Sequence, residues 1–312
     1  MVYAGLVELL GQACVLDTPF KLAFRYSRKP YPRNLGIVPG QLGKRLGMML
    51  RRFEPTAVVV ASCKPRCFAQ YNTLLPHLPP GIPHVFMDGG DWAPLGGDLA
   101  RLGAPTLWQE TMQRRPFDLI LKREMLLAQT HPPEVVAYPY AVQAAHLPAG
   151  PLPAAKYQVT FWAAESDPIR AQALALLENR YDCRANGTVP GQTFRKYPRK
   201  GDTYLAELRA ARIVLNLRGV GHDTLRYWEA PAVGTCMVST LPPIHIPNNF
   251  EHNRHVAFVQ NDLCDLLPTL DALLADEPRR ARMAAQARTF ALAHHTHVHR
   301  AQELLAYLKQ LA

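Results

Sequence analysis

Short apolar runs recur along this chain, separated by segments whose apolar positions follow helical spacing. In the first half, Ala57–Ser62 (AVVVAS), His84–Met87, Phe117–Leu121 and Val135–Ala137 read as strands buried on both faces, with Cys14–Asp17 as a short strand before them. Val2–Leu10 and Leu42–Phe53 read as helices, the first stopping at Gly11. The pattern restarts after His146–Pro153 (HLPAGPLP), whose prolines and glycine mark a boundary between 1–147 and 154–312. Beyond it, Tyr157–Trp162 and Ala257–Val259 read as strands. Pro168–Asn179, Tyr204–Ala210, Leu263–Leu274, Pro278–Ala293 and Thr296–Leu311 read as helices, with Asp276 as the cap of the fourth. Strands alternating with helices predict an α/β protein of two doubly wound domains facing a cleft, each with a parallel sheet covered on both sides. The first apolar segment of the chain is helical in spacing, with no strand-like run before it.

The segment 211–240, ARIVLNLRGVGHDTLRYWEAPAVGTCMVST, carries the most chemistry. It reads as a buried strand, a glycine-hinged loop, a short helix and a second buried strand. Gly219 and Gly221 let backbone N–H groups approach an anion, and a helix N-terminus adds partial positive charge. Arg218 and Arg226 offer fixed-charge forks for phosphate, and Glu229, on the helix, can accept from a sugar hydroxyl. Pro231 predicts that this helix is kinked or short. In open α/β sheets ligands sit beyond the C-terminal strand ends. That singles out Asp88–Trp92, Lys122–Glu124, Trp162–Arg170 and Arg218–Arg226.

Composition narrows this picture. The chain has 312 residues, 48% hydrophobic and 19% charged, as expected of a folded protein of two ordinary domains. No apolar run approaches the ~20 residues of a membrane span. The start shows no secretory signal, so a cytoplasmic location is expected. The net charge of +10 suits nucleic acid, lipid headgroups or small anions, and peripheral membrane contact stays open. The basic residues are scattered, with short clusters at Arg25–Lys29, Arg195–Lys200 and Arg279–Arg282. The close cysteine pair Cys63 and Cys67 has no second pair to complete a zinc spacing. His295 and His299 share a helix face, but no glutamate stands between them and Thr296 reads as a cap, so no metal is expected.

On these residues the chain resembles a known group. R-G-x-G-x-D-T-x-R-x-W-E-A-x-A-x-G at 218–234 is similar to the donor-site segment of GT-B glycosyltransferases, nearest to the CgeB-like (spore-maturation) and family-4-like enzymes. F-D-L-I-L-K-R-E at 117–124, Y-P-Y-A at 138–141 and D-E-P-R-R-A-R-M-A-A-Q-A-R from Asp276 fall in matching order. The resemblance implies two Rossmann-like domains, the first of them lacking here the strand with which such a domain opens, and a nucleotide-diphosphate sugar as co-substrate, bound mainly by the second domain. It also implies metal-independent, retaining transfer with no cofactor. Glu229 would hold the donor ribose, and Arg170 and Arg218 would neutralise the diphosphate as the nucleotide departs. Arg226 either joins them or pairs with Glu229 on its own helix. Retaining members usually carry another glutamate eight positions before the ribose-binding one, where this chain has Gly221, with Asp223 the nearest carboxylate.

Each residue also has a plainer reading. Glu229 is then a surface helix carboxylate and Arg218 a strand-end arginine. Asp88 and Asp91, candidates to activate an acceptor, sit in an ordinary D-G-G-D turn. Lys122 and Arg123 become a solvated basic pair, and Trp92 and Trp162 partly buried core. The acceptor stays open among glycan, lipid-linked, protein and DNA. Two alternatives stand beside the enzyme: a degenerate, non-catalytic GT-B nucleotide-binding protein, and a glycosyltransferase of modified DNA bases.

Overall fold

The computed structural model describes residues 1–17, 41–42, 53–181 and 201–311. Helix α1 (Val2–Leu10) opens the chain, and strands β1 (Leu16–Asp17) and β2 (Gln41–Leu42) form a small parallel pair. Then come β3 (Val58–Val60), α2 (Pro65–Leu74), β4 (His84–Asp88), α3 (Gly97–Arg101), α4 (Leu107–Arg114), β5 (Leu119–Lys122) and β6 (Val135–Ala137). The second half holds β7 (Tyr157–Thr160), α5 (Pro168–Leu177), α6 (Gly201–Arg209), β8 (Ala211–Asn216), α7 (Leu225–Ala232), β9 (Cys236–Thr240) and β10 (Val256–Val259). Helices α8 (Leu266–Ala275), α9 (Glu277–His294) and α10 (His297–Leu311) complete it. Two four-stranded sheets result, ordered β3-β4-β5-β6 and β10-β9-β8-β7, with every described pairing parallel.

Both sheets are buried on both faces, because successive strand residues alternate sides. On β8, Ile213 and Leu215 join the cluster beneath α5, α8 and α9, while Val214 joins Trp162, Trp228 and Met237 on the opposite side. On β5, Ile120 packs with Phe68, Phe86 and Phe117, whereas Leu119 and Leu121 pack with Val85, Tyr138 and Leu304. The expected strands and most expected helices are present, their ends shifted by a few residues. Helices α2, α3 and α4 are additions to the expected set. Of the helix expected over Leu42–Phe53, residues 43–52 lie outside the described residues, and Leu42 belongs to β2. The clusters Arg25–Lys29 and Arg195–Lys200 also lie outside them.

Helix α10, although last in the range 154–312, packs on the first domain. Leu304, Tyr307 and Leu308 meet Val2 and Leu6 of α1 over the β4–β5 face. The helices approach so closely that a Cβ at Gly5 would stand 2.4 Å from the His297 carbonyl oxygen. The connection over 146–153 is pinned as well, since the Arg209 guanidinium donates to the carbonyls of Ala149, Gly150 and Pro151 at 3.0, 2.7 and 2.6 Å. No helix among the described residues is long and apolar enough to cross a membrane.

Candidate functional site

The C-terminal ends of the two sheets face each other, and their loops meet. After β5, the strip Arg123–Leu127 runs along the second domain. Arg123 donates to the Asp223 carbonyl at 3.2 Å, and Met125 O accepts from His245 N at 2.8 Å. Leu126 forms an isolated antiparallel bridge with Ile244, and Leu127 N donates to Pro243 O at 3.0 Å. Between these, the Glu124 carboxylate accepts from the amides of His222 and Asp223 at 2.9 and 3.0 Å. Those amides lie just before the N-terminus of α7, where backbone N–H groups and the helix dipole favour an anion. Burial raises the Glu124 pKa, against the pull of these bonds and of Arg123. Glu124 was part of a marked strand-end loop in the sequence, but its pairing with a loop about a hundred residues away has no local signal.

Asp223 faces the opposite way. Its carboxylate accepts from Tyr140 N at 2.6 Å and from the Trp228 indole at 2.7 Å, and burial raises its pKa to about 6. Asp91 accepts from Arg123, which lies 4.3 Å above the Tyr140 ring. Asp91 is 47% exposed and Arg123 only 3%, so Arg123 is buried rather than solvated. Asp88 sits deeper in the first domain, 2.8 Å from Lys122 Nζ. It also accepts from the Cys63 thiol at 3.2 Å and from Gly96 N at 3.3 Å, while Lys122 donates to Trp92 O at 2.6 Å. Asp88 and Lys122 therefore brace the 89–96 loop from within.

The arginines of the second domain divide in two. Arg170 donates to the carbonyls of Arg218 at 2.7 Å and Leu217 at 3.0 Å, to Ala164 O and to Ser166 Oγ at 3.2 Å. Arg218 donates to Val220 O at 2.9 Å and lies 3.2 Å from Asp167, the residue that caps α5. It also meets His222 Nε2 at 3.0 Å; burial, with Arg218 beside it, lowers the His222 pKa to about 4, so this nitrogen accepts. These two guanidinium groups are thus engaged in shaping the loop from Leu217 to Asp223. Arg226 differs. It is 7% exposed and donates to Trp162 O, but its Nε and Nη1 are buried without a hydrogen-bond partner.

Arg226 and Arg170 lie 5.4 and 6.0 Å from the centre of the same Phe161 ring. Burial, together with the neighbouring Arg226 charge, lowers the Arg170 pKa to about 9. Two buried like charges at one strand end form a site that an anion would relieve. Glu229, one turn along α7, is 2% exposed rather than a surface carboxylate, and Tyr204 of α6 lies beside both Arg226 and Glu229. Trp162 is buried core, whereas Trp92 stands 47% exposed at the rim. Helix α7 is short, with Pro231 in its last turn, and Thr224 caps it by accepting from Tyr227 N at 3.3 Å.

His295, His297 and His299, around the start of α10, each make hydrogen bonds. His295 meets Asn248 O at 2.8 Å and Arg300 at 2.9 Å, His297 meets Glu8 at 3.0 Å, and His299 meets Thr296 Oγ1 at 2.7 Å.

Similar proteins share this architecture. Residues 170–306, which contain Arg170, the loop and α7, match the family described as glycosyl transferase-like. No curated protein matches the chain in sequence. Among solved structures, sucrose-phosphate synthase from Thermosynechococcus elongatus is similar over 99% of this chain and 91% of its own, at 11% identity and a TM-score of 0.58. Anabaena HepE in complex with UDP and glucose is similar over 84% and 80%, at 13% identity and 0.54. An alpha-glucosyltransferase in complex with UDP and a 13-mer DNA is similar over 88% and 85%, at 12% identity and 0.53. The chain has the GT-B glycosyltransferase fold, and over 170–306 it matches the glycosyl transferase-like family.

Proposed function

We propose that this protein is a glycosyltransferase that takes a hexosyl or pentosyl group from a nucleotide-diphosphate sugar, with retention and without a metal ion. The observation that carries the reading is Arg226, a buried cation with two unpartnered N–H-bearing nitrogens beside Glu229 and Tyr204, at the end of the second sheet. Arg226 contacts the diphosphate, and Glu229 accepts from the ribose hydroxyls. Arg170 and Arg218 hold the loop that lies beside the phosphates. Negative charge builds on the departing nucleotide in the transition state, and cations fixed in a dry site stabilise that charge more than water does. The donor phosphate itself takes the acceptor proton as the new bond forms on the same face. Of the candidate carboxylates, Asp88 and Asp223 have both oxygens engaged, so Asp91, the exposed one, is the group that meets an acceptor hydroxyl.

UDP is the first nucleotide to test, since the structures of HepE and the alpha-glucosyltransferase contain it. A thermal-shift series with UDP-, GDP-, ADP- and TDP-sugars tests the reading, because ligand at 100 times its dissociation constant adds ~2.7 kcal/mol to stability. A shift followed by donor turnover that persists in excess chelator is expected. No shift with any of the four would end the proposal, and binding without turnover or donor hydrolysis would leave the non-catalytic alternative. A DNA acceptor is a second reading, favoured by the net charge of +10. It requires DNA binding that weakens steeply between low and high salt.

A further inference from the structure

The loop from Leu217 to Asp223 is held from both domains. Arg170 takes the carbonyls at its start, within the second domain. The far end is held from the first domain, where Glu124 takes the amides of His222 and Asp223 and Arg123 takes the Asp223 carbonyl. Gly221 is fitted to this arrangement. A Cβ there would lie 2.5 Å from Glu124 Oε1 and 3.1 Å from an Arg123 guanidinium nitrogen. Its backbone is not in the left-handed region, so the need for glycine comes from the incoming carboxylate and not from the turn.

Glu124 is 1% exposed. Burying a carboxylate so completely is costly unless its acceptors are satisfied. The two amides satisfy it only while the domains are together. Opening the cleft would remove the carboxylate from the amides of His222 and Asp223, leaving the loop to contacts within the second domain: Arg170 and the Arg218–Asp167 pair at its start and the Trp228 indole on Asp223.

From this geometry we infer that Glu124 is a positioning residue that couples closure of the two domains to the shape of the donor loop. The inference rests on the donor reading given above. Closed domains present the loop ready-shaped to the nucleotide-diphosphate sugar, and a bound donor in turn favours closure, since linkage is reciprocal. The residue touches neither reacting atom. It acts through the backbone of residues 221–223.

The test is a double-mutant cycle on Glu124→Ala and Gly221→Ala, read as UDP affinity by calorimetry and as domain closure by small-angle X-ray scattering, with melting temperature as a check on folding. Each single variant should bind UDP about 10-fold or more weakly, the first by losing the carboxylate and the second by displacing it. In the Glu124→Ala background the added methyl at 221 meets no carboxylate, and the end of the Arg123 side chain, 3.1 Å away, has only a few tenths of an ångström to yield into the space Glu124 leaves. Gly221→Ala should then change UDP affinity by less than about twofold. Glu124→Ala should also enlarge the radius of gyration, and UDP should reduce it less than in the native protein. Glu124→Gln, which retains one acceptor but turns an amide N–H toward a donor, should fall between. Equal UDP affinity in native and folded Glu124→Ala protein would overturn the role of Glu124, as would fully additive effects of the two substitutions. Failure of the native protein to bind any nucleotide would instead overturn the donor reading.

Discussion

His295, 1% exposed between the Asn248 carbonyl and the Arg300 guanidinium, ties protonation to stability. Burial first, and then the Arg300 charge, lower its pKa from 6.5 to about 3. Its folded pKa is below the unfolded one, so its stabilisation is complete above about pH 6.5. It drains away as pH falls toward 3, at about 1.4 kcal/mol for each pH unit crossed. Asp223 works in the opposite sense: its folded pKa of about 6 exceeds the usual 3.8, so its contribution is complete below 3.8 and is lost as pH rises through 6. Denaturant unfolding between pH 7 and 4 should therefore show a smaller acid loss in His295→Gln than in the native protein, and parallel losses would refute the assignment. Arg226 gives a second expectation. Arg226→Met removes a cation whose Nε and Nη1 lack hydrogen-bond partners but leaves the neighbouring Glu229 carboxylate buried, so the variant should melt lower than the native protein. It should at the same time lose most of the stabilisation by UDP. Undiminished stabilisation would take Arg226 out of the diphosphate site. Glu229→Ala should fold and weaken nucleotide binding by ~1.5–3 kcal/mol per lost charged hydrogen bond, measured by the same titration.

At the level of elements, α7 is a short helix that relies on its first turn. Thr224 accepts from Tyr227 N and donates to Asn216 Oδ1 at 2.7 Å, and Asn216 in turn donates to Ser239 at 3.0 Å. The cap thereby joins the helix to the ends of β8 and β9. Thr224→Ala should cost about 0.5–2 kcal/mol, as helix caps do, and loosen the turn that presents Arg226. A melting temperature and UDP affinity both equal to those of native protein would deny that link. Helix α2 shows why some elements were hidden. Its sequence PRCFAQYNTL places Phe68, Tyr71 and Leu74 on one face, but the polar residues between them leave a weak apolar signal. Its helical state comes from packing against Phe86 and Phe117.

Across the whole molecule, the last helix joins what the chain order separates. Helix α10 leaves the second domain and covers the first, with Leu304 fully buried against Val85, Leu119 and Leu121. Arg300 on the same helix donates to the carbonyls of Pro139 at 3.0 Å and Tyr140 at 3.2 Å. With the strip Arg123–Leu127 on the other side, the domains share two sets of bonds, so heat should unfold them in one calorimetric transition. Leu304→Ala should lower stability by about 2–5 kcal/mol. Two separate transitions in the native protein would show that the domains unfold independently.

The chain's own pattern determined the parallel sheets, the cap at Asp276, and the loop–helix unit that holds Arg218 to Glu229. These depend on spacing within a few turns or strands, where apolar periodicity and cap chemistry act locally. Tertiary structure alone decided which charges are free. Arg170 and Arg226 look alike in sequence, yet one is consumed by loop carbonyls and the other keeps nitrogens without partners. It also decided that Asp88 is paired with Lys122, that α10 belongs over the first sheet, and that Glu124 fills the space beside Gly221. Each of these joins residues distant in the chain. Desolvation and hydrogen bonding fix them only once the two sheets have brought their ends together.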